Sequence, residues 1–305
     1  MKGRVMKSTG SWYLVRAEHG DDYSCRTRGR LRLEGSRETN PVAVGDLVEF
    51  EPEGQEGSIT EILPRRNHII RQAARKSAQT QVLAANVDQA LLVVTVAQPR
   101  TSSGFIDRFL ITCQAYDIPQ IILINKKDLW TQEDAEAAES WRSIYSALNI
   151  PVVVTSLKEE ALSPEILKLL NNKTTLVAGH SGTGKSTLIN LILPETDRKT
   201  GEISSFSEKG VHTTTFAEMF SGDDGFFIID TPGIKEWGLT GFEPRELSGF
   251  FPEMEAIRND CRFGRSCLHI HEPSCAVLTA VEQGEIALSR YESYFSMVAG
   301  EDNRK

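Results

Sequence analysis

No stretch of this chain approaches the roughly 18–20 consecutive apolar residues that a bilayer-spanning helix needs, so no membrane role is expected. The opening Met1-Lys2-Gly3-Arg4-Val5-Met6-Lys7 leads into no apolar signal core, and a cytoplasmic protein is expected. Cysteine is sparse and odd in number, five in 305 residues, which argues against a disulfide framework. Internal repeats, long low-complexity tracts and long heptad runs are missing, so a monomer is the default. An overall basic excess is missing too: the net charge is -8, which argues against nucleic-acid binding by the chain as a whole. What remains is ordinary globular composition, 40% hydrophobic and 25% charged, at a length that suggests two or three domains.

The charge is uneven. Residues 1–76 hold 14 Lys and Arg against 11 Asp and Glu. Within them Arg26, Arg28, Arg30 and Arg32 alternate, and on a strand that spacing puts all four guanidiniums on one face. The stripe is either an RNA-facing surface or a solvated strand face. Residues 1–75 read as short strands between Gly- and Asp-rich turns, a pattern that fits a small β-barrel of the OB-fold type and is shared by SH3-like barrels. Arg65-Arg66-Asn67-His68 and Arg71 to Lys76 read as a basic linker. Residues 76–240 switch to α/β alternation. Ala90 to Val96, Gln120 to Ile124, Val152 to Val154, Thr174 to Ala178 and Phe226 to Ile229 are apolar strands of a parallel sheet, and helices fall between them. Residues 241–305 lose the β pattern and read as a helical domain with a Cys/His cluster.

Chemistry concentrates at the strand ends, where open α/β sheets bind ligands. Gly179-His180-Ser181-Gly182-Thr183-Gly184-Lys185-Ser186, followed by Thr187, matches a phosphate loop placed between a strand and a helix. Its backbone N–H groups and helix N-terminus suit phosphate, Lys185 suits the β- and γ-phosphates, and the Ser186 hydroxyl suits Mg²⁺. Asp230-Thr231-Pro232-Gly233 lies some 45 residues later. Asp230 suits Mg²⁺, and Gly233 suits the γ-phosphate. Asn125-Lys126-Lys127-Asp128 supplies base choice. The Asp128 carboxylate can accept from guanine N1–H and the exocyclic amine, and adenine offers neither in that geometry. Asn125 braces base and loop, Lys126 lies over the ring, and Thr155-Ser156-Leu157 forms a second base loop. Together the groups indicate a GTP site. Their order is unusual, because the guanine tetrapeptide precedes the phosphate loop by about fifty residues.

A mobile loop is expected over Gly201 to Thr215. One of Thr213, Thr214 and Thr215 would bind Mg²⁺ and sense the γ-phosphate, and Thr214 is favoured. Residue 234, after the Asp-Thr-Pro-Gly glycine, is Ile, which cannot orient a water as a Gln can. His212 is the nearest candidate in sequence for that role; otherwise it is a loop residue and catalysis awaits a partner. Cys261, Cys267, His269 and Cys275 offer three thiolates and an imidazole, a tetrahedral set for one structural Zn²⁺, with His271 as a spare ligand.

These residues together resemble the circularly permuted GTPases of the RsgA (YjeQ/YloQ) family, ribosome small subunit-dependent GTPases. The resemblance covers nearly the whole chain. It implies an N-terminal OB-fold, a permuted P-loop GTPase domain and a C-terminal helical zinc-binding domain. It also implies a role in late maturation of the small ribosomal subunit, with rRNA contact and GTP hydrolysis coupled to release. The family pattern has four residues between the first two cysteines, and this chain has five, which puts that loop's conformation in question. The competing reading is a GTP-gated RNA-binding switch or scaffold that acts on another RNA or pathway, with hydrolysis incidental; retention of His212 and every nucleotide motif favours the enzyme.

Overall fold

Alternation with a period of two residues governs the start of the chain. The computed structural model describes residues 1–28, 41–72, 80–193, 217–222, 225–231 and 242–301. Strands β1 (Lys2–Ser8), β2 (Tyr13–Ala17), β3 (Asp22–Thr27), β4 (Leu47–Glu53) and β5 (Glu56–Ile62) form the N-terminal barrel. On β2, Tyr13, Val15 and Ala17 point inward while Leu14 and Arg16 are only half-buried. β1 pairs antiparallel with both β2 and β4, and β3 pairs parallel with β5, so the five strands close on themselves. That closure is the OB-type arrangement. Val5, Val15, Cys25, Val48, Phe50 and Ile59 fill its interior. Arg26 and Arg28 follow buried Cys25, on β3 and at its exit, and both are exposed, as their spacing predicts. Arg30 and Arg32 lie outside the described residues.

The expected basic linker is instead a hairpin, β6 (His68–Gln72) against β7 (Thr80–Ala85). Arg65 is buried and donates both Nε and Nη2 to the Asp46 carboxylate, at 2.7 and 2.8 Å. Ile69 is fully buried in the core below the central sheet. Net charge misled here, because one paired arginine and one inward isoleucine decide the segment's burial.

The central sheet carries β8 (Gln89–Val94), α1 (Ser103–Ala115), β9 (Gln120–Ile124), α2 (Gln132–Ala147), β10 (Val152–Val154), α3 (Pro164–Leu170), β11 (Thr174–Ala178), α4 (Lys185–Ile192), β12 (Glu218–Ser221) and β13 (Phe227–Asp230). The spatial order is β10-β9-β8-β11-β13-β12. All but β12 run parallel. Every residue of β8 is buried. Ala90, Leu92 and Val94 serve one face, and Leu91 and Val93 the other. Each such Leu or Val contributes about 1.5–3 kcal/mol of burial. Helix starts are locally encoded: Thr131 and Asp134 form a capping box for α2, and Ser163-Pro164 opens α3.

β12 also pairs with β1, at Glu218 and Lys7, so barrel and central sheet form one continuous eleven-stranded sheet. Arg16 adds a hydrogen bond to Ser221 Oγ at 2.6 Å. The C-terminal part holds α5 (Pro244–Leu247), α6 (Pro252–Glu255), α7 (Ala276–Glu282) and α8 (Leu288–Val298). It packs Phe251, Met254 and Tyr294 against Ile111 of α1. Arg290 of α8 crosses this interface, 2.7 Å from Asp107 on α1 and 2.7 Å from Glu253. Tyr145 donates to the same Asp107 oxygen at 2.8 Å. Burial alone would lower the Arg290 pKa, but Asp107 and Glu253 outweigh it and hold the guanidinium above its ordinary range.

Breaking one side of a buried ion pair leaves an uncompensated charge and costs about 3–5 kcal/mol. Arg290→Met is therefore expected to lose that much in denaturant unfolding, and adding Asp107→Leu to recover most of it. A loss below about 1 kcal/mol, the scale of an exposed pair, would mean the pair does not secure the interface.

Candidate guanine-nucleotide site and metal centre

The loops that follow β8, β9, β10 and β11 leave the same edge of the parallel sheet, beside the end of β13 at Asp230. Parallel pairing sets this: Ile124 lies beside Val94 and Val154, and Val177 beside Asp230. The Asn125 side chain, itself buried, ties the loops together. Its Nδ2 donates to the Thr183 carbonyl at 2.8 Å, and its Oδ1 accepts from the Leu157 N–H at 3.0 Å. One amide thus joins the tetrapeptide, the phosphate loop and the Thr155-Ser156-Leu157 loop.

Two glycines make that closeness possible. Gly184 has φ +107°, and a Cβ there would sit 2.2 Å from Asn125 Nδ2; Gly179 has φ +146°, and a Cβ there would sit 2.2 Å from the Val93 carbonyl. Thr183 is buried, and its hydroxyl donates to the His180 carbonyl at 2.9 Å, so its side chain holds the loop. The His180 ring stacks on Phe105 of α1, with centroids 3.8 Å apart. Lys185 donates to the His180 carbonyl at 2.7 Å. Burial lowers the Lys185 pKa and the Asp230 charge opposes that; burial raises the Asp230 pKa and Lys185 opposes that. The two charges therefore favour each other at the sheet edge.

A cavity of about 490 Å³ lies between these loops. Asn125, Lys126, Asp128, Ser181, Gly182, Gly184, Lys185, Ser186 and Thr187 line it, with Leu129, Leu157 and Lys158. Ser156 donates to Asp128 Oδ1 at 2.5 Å, which fixes the carboxylate from behind. Thr155 and Ser156 are buried and do not line the cavity, so the base loop presents Leu157 and Lys158 instead. Lys127 also departs from expectation: it forms an ion pair with Glu160 and does not line the cavity. Lys158 and Leu129 escaped the sequence reading because neither residue type signals base contact. His212, Thr213, Thr214, Thr215, Gly233 and Ile234 lie outside the described residues.

The chemistry of the donor sets fits two metals. The Ser186 hydroxyl and Asp230 carboxylate are oxygen donors of the kind Mg²⁺ prefers. In the C-terminal domain, Cys261, Cys267, His269 and Cys275 are all buried, with ligand atoms within 4.8 Å of one another. The Cys275 sulfur lies 3.8 Å from those of Cys261 and Cys267, and His269 Nδ1 lies 3.6 and 3.3 Å from the Cys261 and Cys275 sulfurs. Tetrahedral zinc with bonds near 2.3 Å to sulfur and 2.0–2.1 Å to nitrogen implies ligand separations of about 3.5–3.8 Å. The cluster is already near that geometry. The five-residue spacing between Cys261 and Cys267 is absorbed by a 3-10 turn at Gly264–Ser266, with Gly264 at φ +51°. His271 is exposed and outside the cluster.

Residues 62–240 match the RsgA GTPase family model, and residues 2–59 match the RsgA N-terminal domain. The chain belongs to the RsgA family of GTPases. It is a GTP hydrolase with the motif order circularly permuted, in agreement with the resemblance. The chain is 48% identical to "Small ribosomal subunit biogenesis GTPase RsgA 2" of Bacteroides thetaiotaomicron, covering 100% of this chain and 98% of that protein. A Porphyromonas gingivalis RsgA is also 48% identical, covering 99% of this chain and 98% of that protein. Among solved structures, YjeQ of Thermotoga maritima superposes with a TM-score of 0.77 at 34% identity, covering 100% of this chain and 99% of that one. YloQ, described as a circularly permuted GTPase, gives 0.74 at 32%, covering 100% and 96%.

A four-ligand set leaves no open position for a catalytic water, so a zinc held there would be structural. Metal analysis of the purified protein is expected to find about one zinc per chain, reduced by Cys267→Ser. Purified protein without zinc would remove the site.

Proposed function

We propose that this protein hydrolyses GTP in the pocket between the phosphate loop and the Asn125-Lys126-Lys127-Asp128 loop, and that it does so on the small ribosomal subunit during late maturation. The observation that carries the nucleotide assignment is the Asn125 amide, which joins the two loops across one cavity. Asp128, held by Ser156, reads guanine; Lys126 covers the ring; Leu157 and Lys158 complete the base wall. The backbone of Gly182 and Gly184 and the start of α4 receive the phosphates, with Lys185 on the β- and γ-oxygens. Ser186, Asp230 and Thr214 would hold Mg²⁺, which supplies charge neutralisation for the phosphates. His212 orients the attacking water, since Ile234 offers no hydrogen bond.

The subunit assignment rests on the names of the relatives and on the exposed arginines of the barrel. Arg26 there lies 3.7 Å over the Trp12 ring, and Arg28 pairs with Glu51. Together with Arg30 and Arg32, it is read as the rRNA-facing stripe. Domain limits near 75 and 240, a monomeric state and a cytoplasmic location belong to the same reading. Hydrolysis is coupled to release from the subunit.

GTP turnover by the protein alone, with small subunits, and with large subunits tests this directly, with ATP as control. Strong stimulation by small subunits alone is expected; turnover indifferent to either subunit would withdraw the ribosomal assignment. His212→Ala is expected to lower turnover at least about tenfold, the scale of a lost water-positioning group, with GTP affinity little changed. Unchanged turnover would remove His212 from the mechanism.

A further inference from the structure

One loop beside the pocket is unused by the mechanism above. It connects β8 to α1, residues 95–101, and three hydrogen bonds close it on itself. The Thr95 hydroxyl donates to the Pro99 carbonyl at 2.5 Å. The Thr95 N–H donates to Thr101 Oγ1 at 3.2 Å, and the Thr101 N–H donates to the Thr95 carbonyl at 3.0 Å. Both threonines are buried. Between them the loop presents the Gln98 carbonyl, which accepts from Lys126 Nζ at 2.6 Å. Gln98 and Lys126 both have left-handed backbones, φ +53° and +66°. Residues with side chains rarely adopt that conformation unless their surroundings hold them there, and such positions gather at binding sites. On its other side the loop meets the phosphate loop: Pro99 Cδ lies 3.5 Å from where a Gly182 Cβ would be.

A lysine ammonium is a flexible point charge on a four-carbon stem. Covering a base face requires that it be held, and the Gln98 carbonyl is the one acceptor shown for it among the described residues. We infer that Thr95 is a positioning residue for nucleotide binding: by clasping the 95–101 loop it places the Gln98 carbonyl that holds Lys126 over the base. This rests on reading the pocket as the guanine-nucleotide site, and adds to it a residue outside the nucleotide motifs. Thr95 acts through Lys126, which touches the ring face, and not through Asp128, which reads the ring edge. Its loss therefore weakens binding without changing the preference for the 2-amino group.

The test is a double-mutant cycle on the full chain, using equilibrium affinity for GDP and for inosine diphosphate, which lacks that amino group. Thr95→Val is expected to weaken both nucleotides by about tenfold and by equal factors, as loss of a hydrogen bond to a charged group's anchor would. Thr95→Ser, which keeps the hydroxyl, restores affinity. In a Lys126→Ala background Thr95→Val adds no further loss. Undiminished affinity, or a loss fully additive with Lys126→Ala, overturns the inference. Thr101→Val removes a second clasp and carries the same expectations should Thr95→Val fail to fold. Asp128→Ala separates the two levels: if it leaves GDP affinity intact, the pocket reading fails, whereas a large loss there with none at Thr95 sinks only this inference.

Discussion

The nucleotide site depends on one buried amide. Asn125 follows β9, which β8 and β11 separate from β13 in the sheet, yet its two polar atoms reach the phosphate loop and the Leu157 backbone together. Both hydrogen bonds are buried, so each is costly to leave unmade. This explains why cyclic reordering of the motifs is tolerated. What the chemistry needs is a set of strand ends side by side, and the parallel sheet supplies that whatever order the chain visits them. Gly184 completes the constraint, since any side chain there would collide with the Asn125 amide.

Around this clamp the neighbouring domains attach at mechanically suggestive places. β12 lies just before β13 and Asp230, and it is also the strand that pairs with the barrel. α1 stacks Phe105 on His180 of the phosphate loop and, two residues on, buries Asp107 against Arg290 of the C-terminal domain. Each outer domain is therefore one element away from a nucleotide-binding loop. Packed interiors transmit displacement poorly by bending and better by switching between arrangements. A partner that grips the barrel or the C-terminal domain has a short path to the nucleotide through either contact.

Much of this was legible in the sequence for identifiable reasons. Phosphate and guanine recognition demand particular residues at strand ends, so Gly179 to Ser186, Asp128 and Asp230 could be singled out, and the structure brings them to one edge of the sheet. Local capping at Thr131 and Ser163 is encoded just as locally, because its partners lie within one turn. The ligand set Cys261, Cys267, His269 and Cys275 was readable from donor chemistry, even with an extra residue in its loop. What escaped was long-range. Arg290 and Asp107 are 183 residues apart and carry no pattern that pairs them. The β6–β7 hairpin hid beneath its arginines. Thr155 and Ser156 were assigned to the nucleotide by their place at a strand end and Lys127 by its place in the tetrapeptide, whereas their own side chains bond to Asp128 and Glu160.

The central claim is that one side chain assembles the guanine site. Equilibrium GDP affinity of Asn125→Ala tests it most directly, with a thermal unfolding profile as the check on folding. Losing two buried hydrogen bonds and the registry of three loops predicts a fall of about a hundredfold with the fold retained. A folded variant that binds GDP within about twofold of the unaltered protein would contradict the account, because a lost buried hydrogen bond alone should cost more.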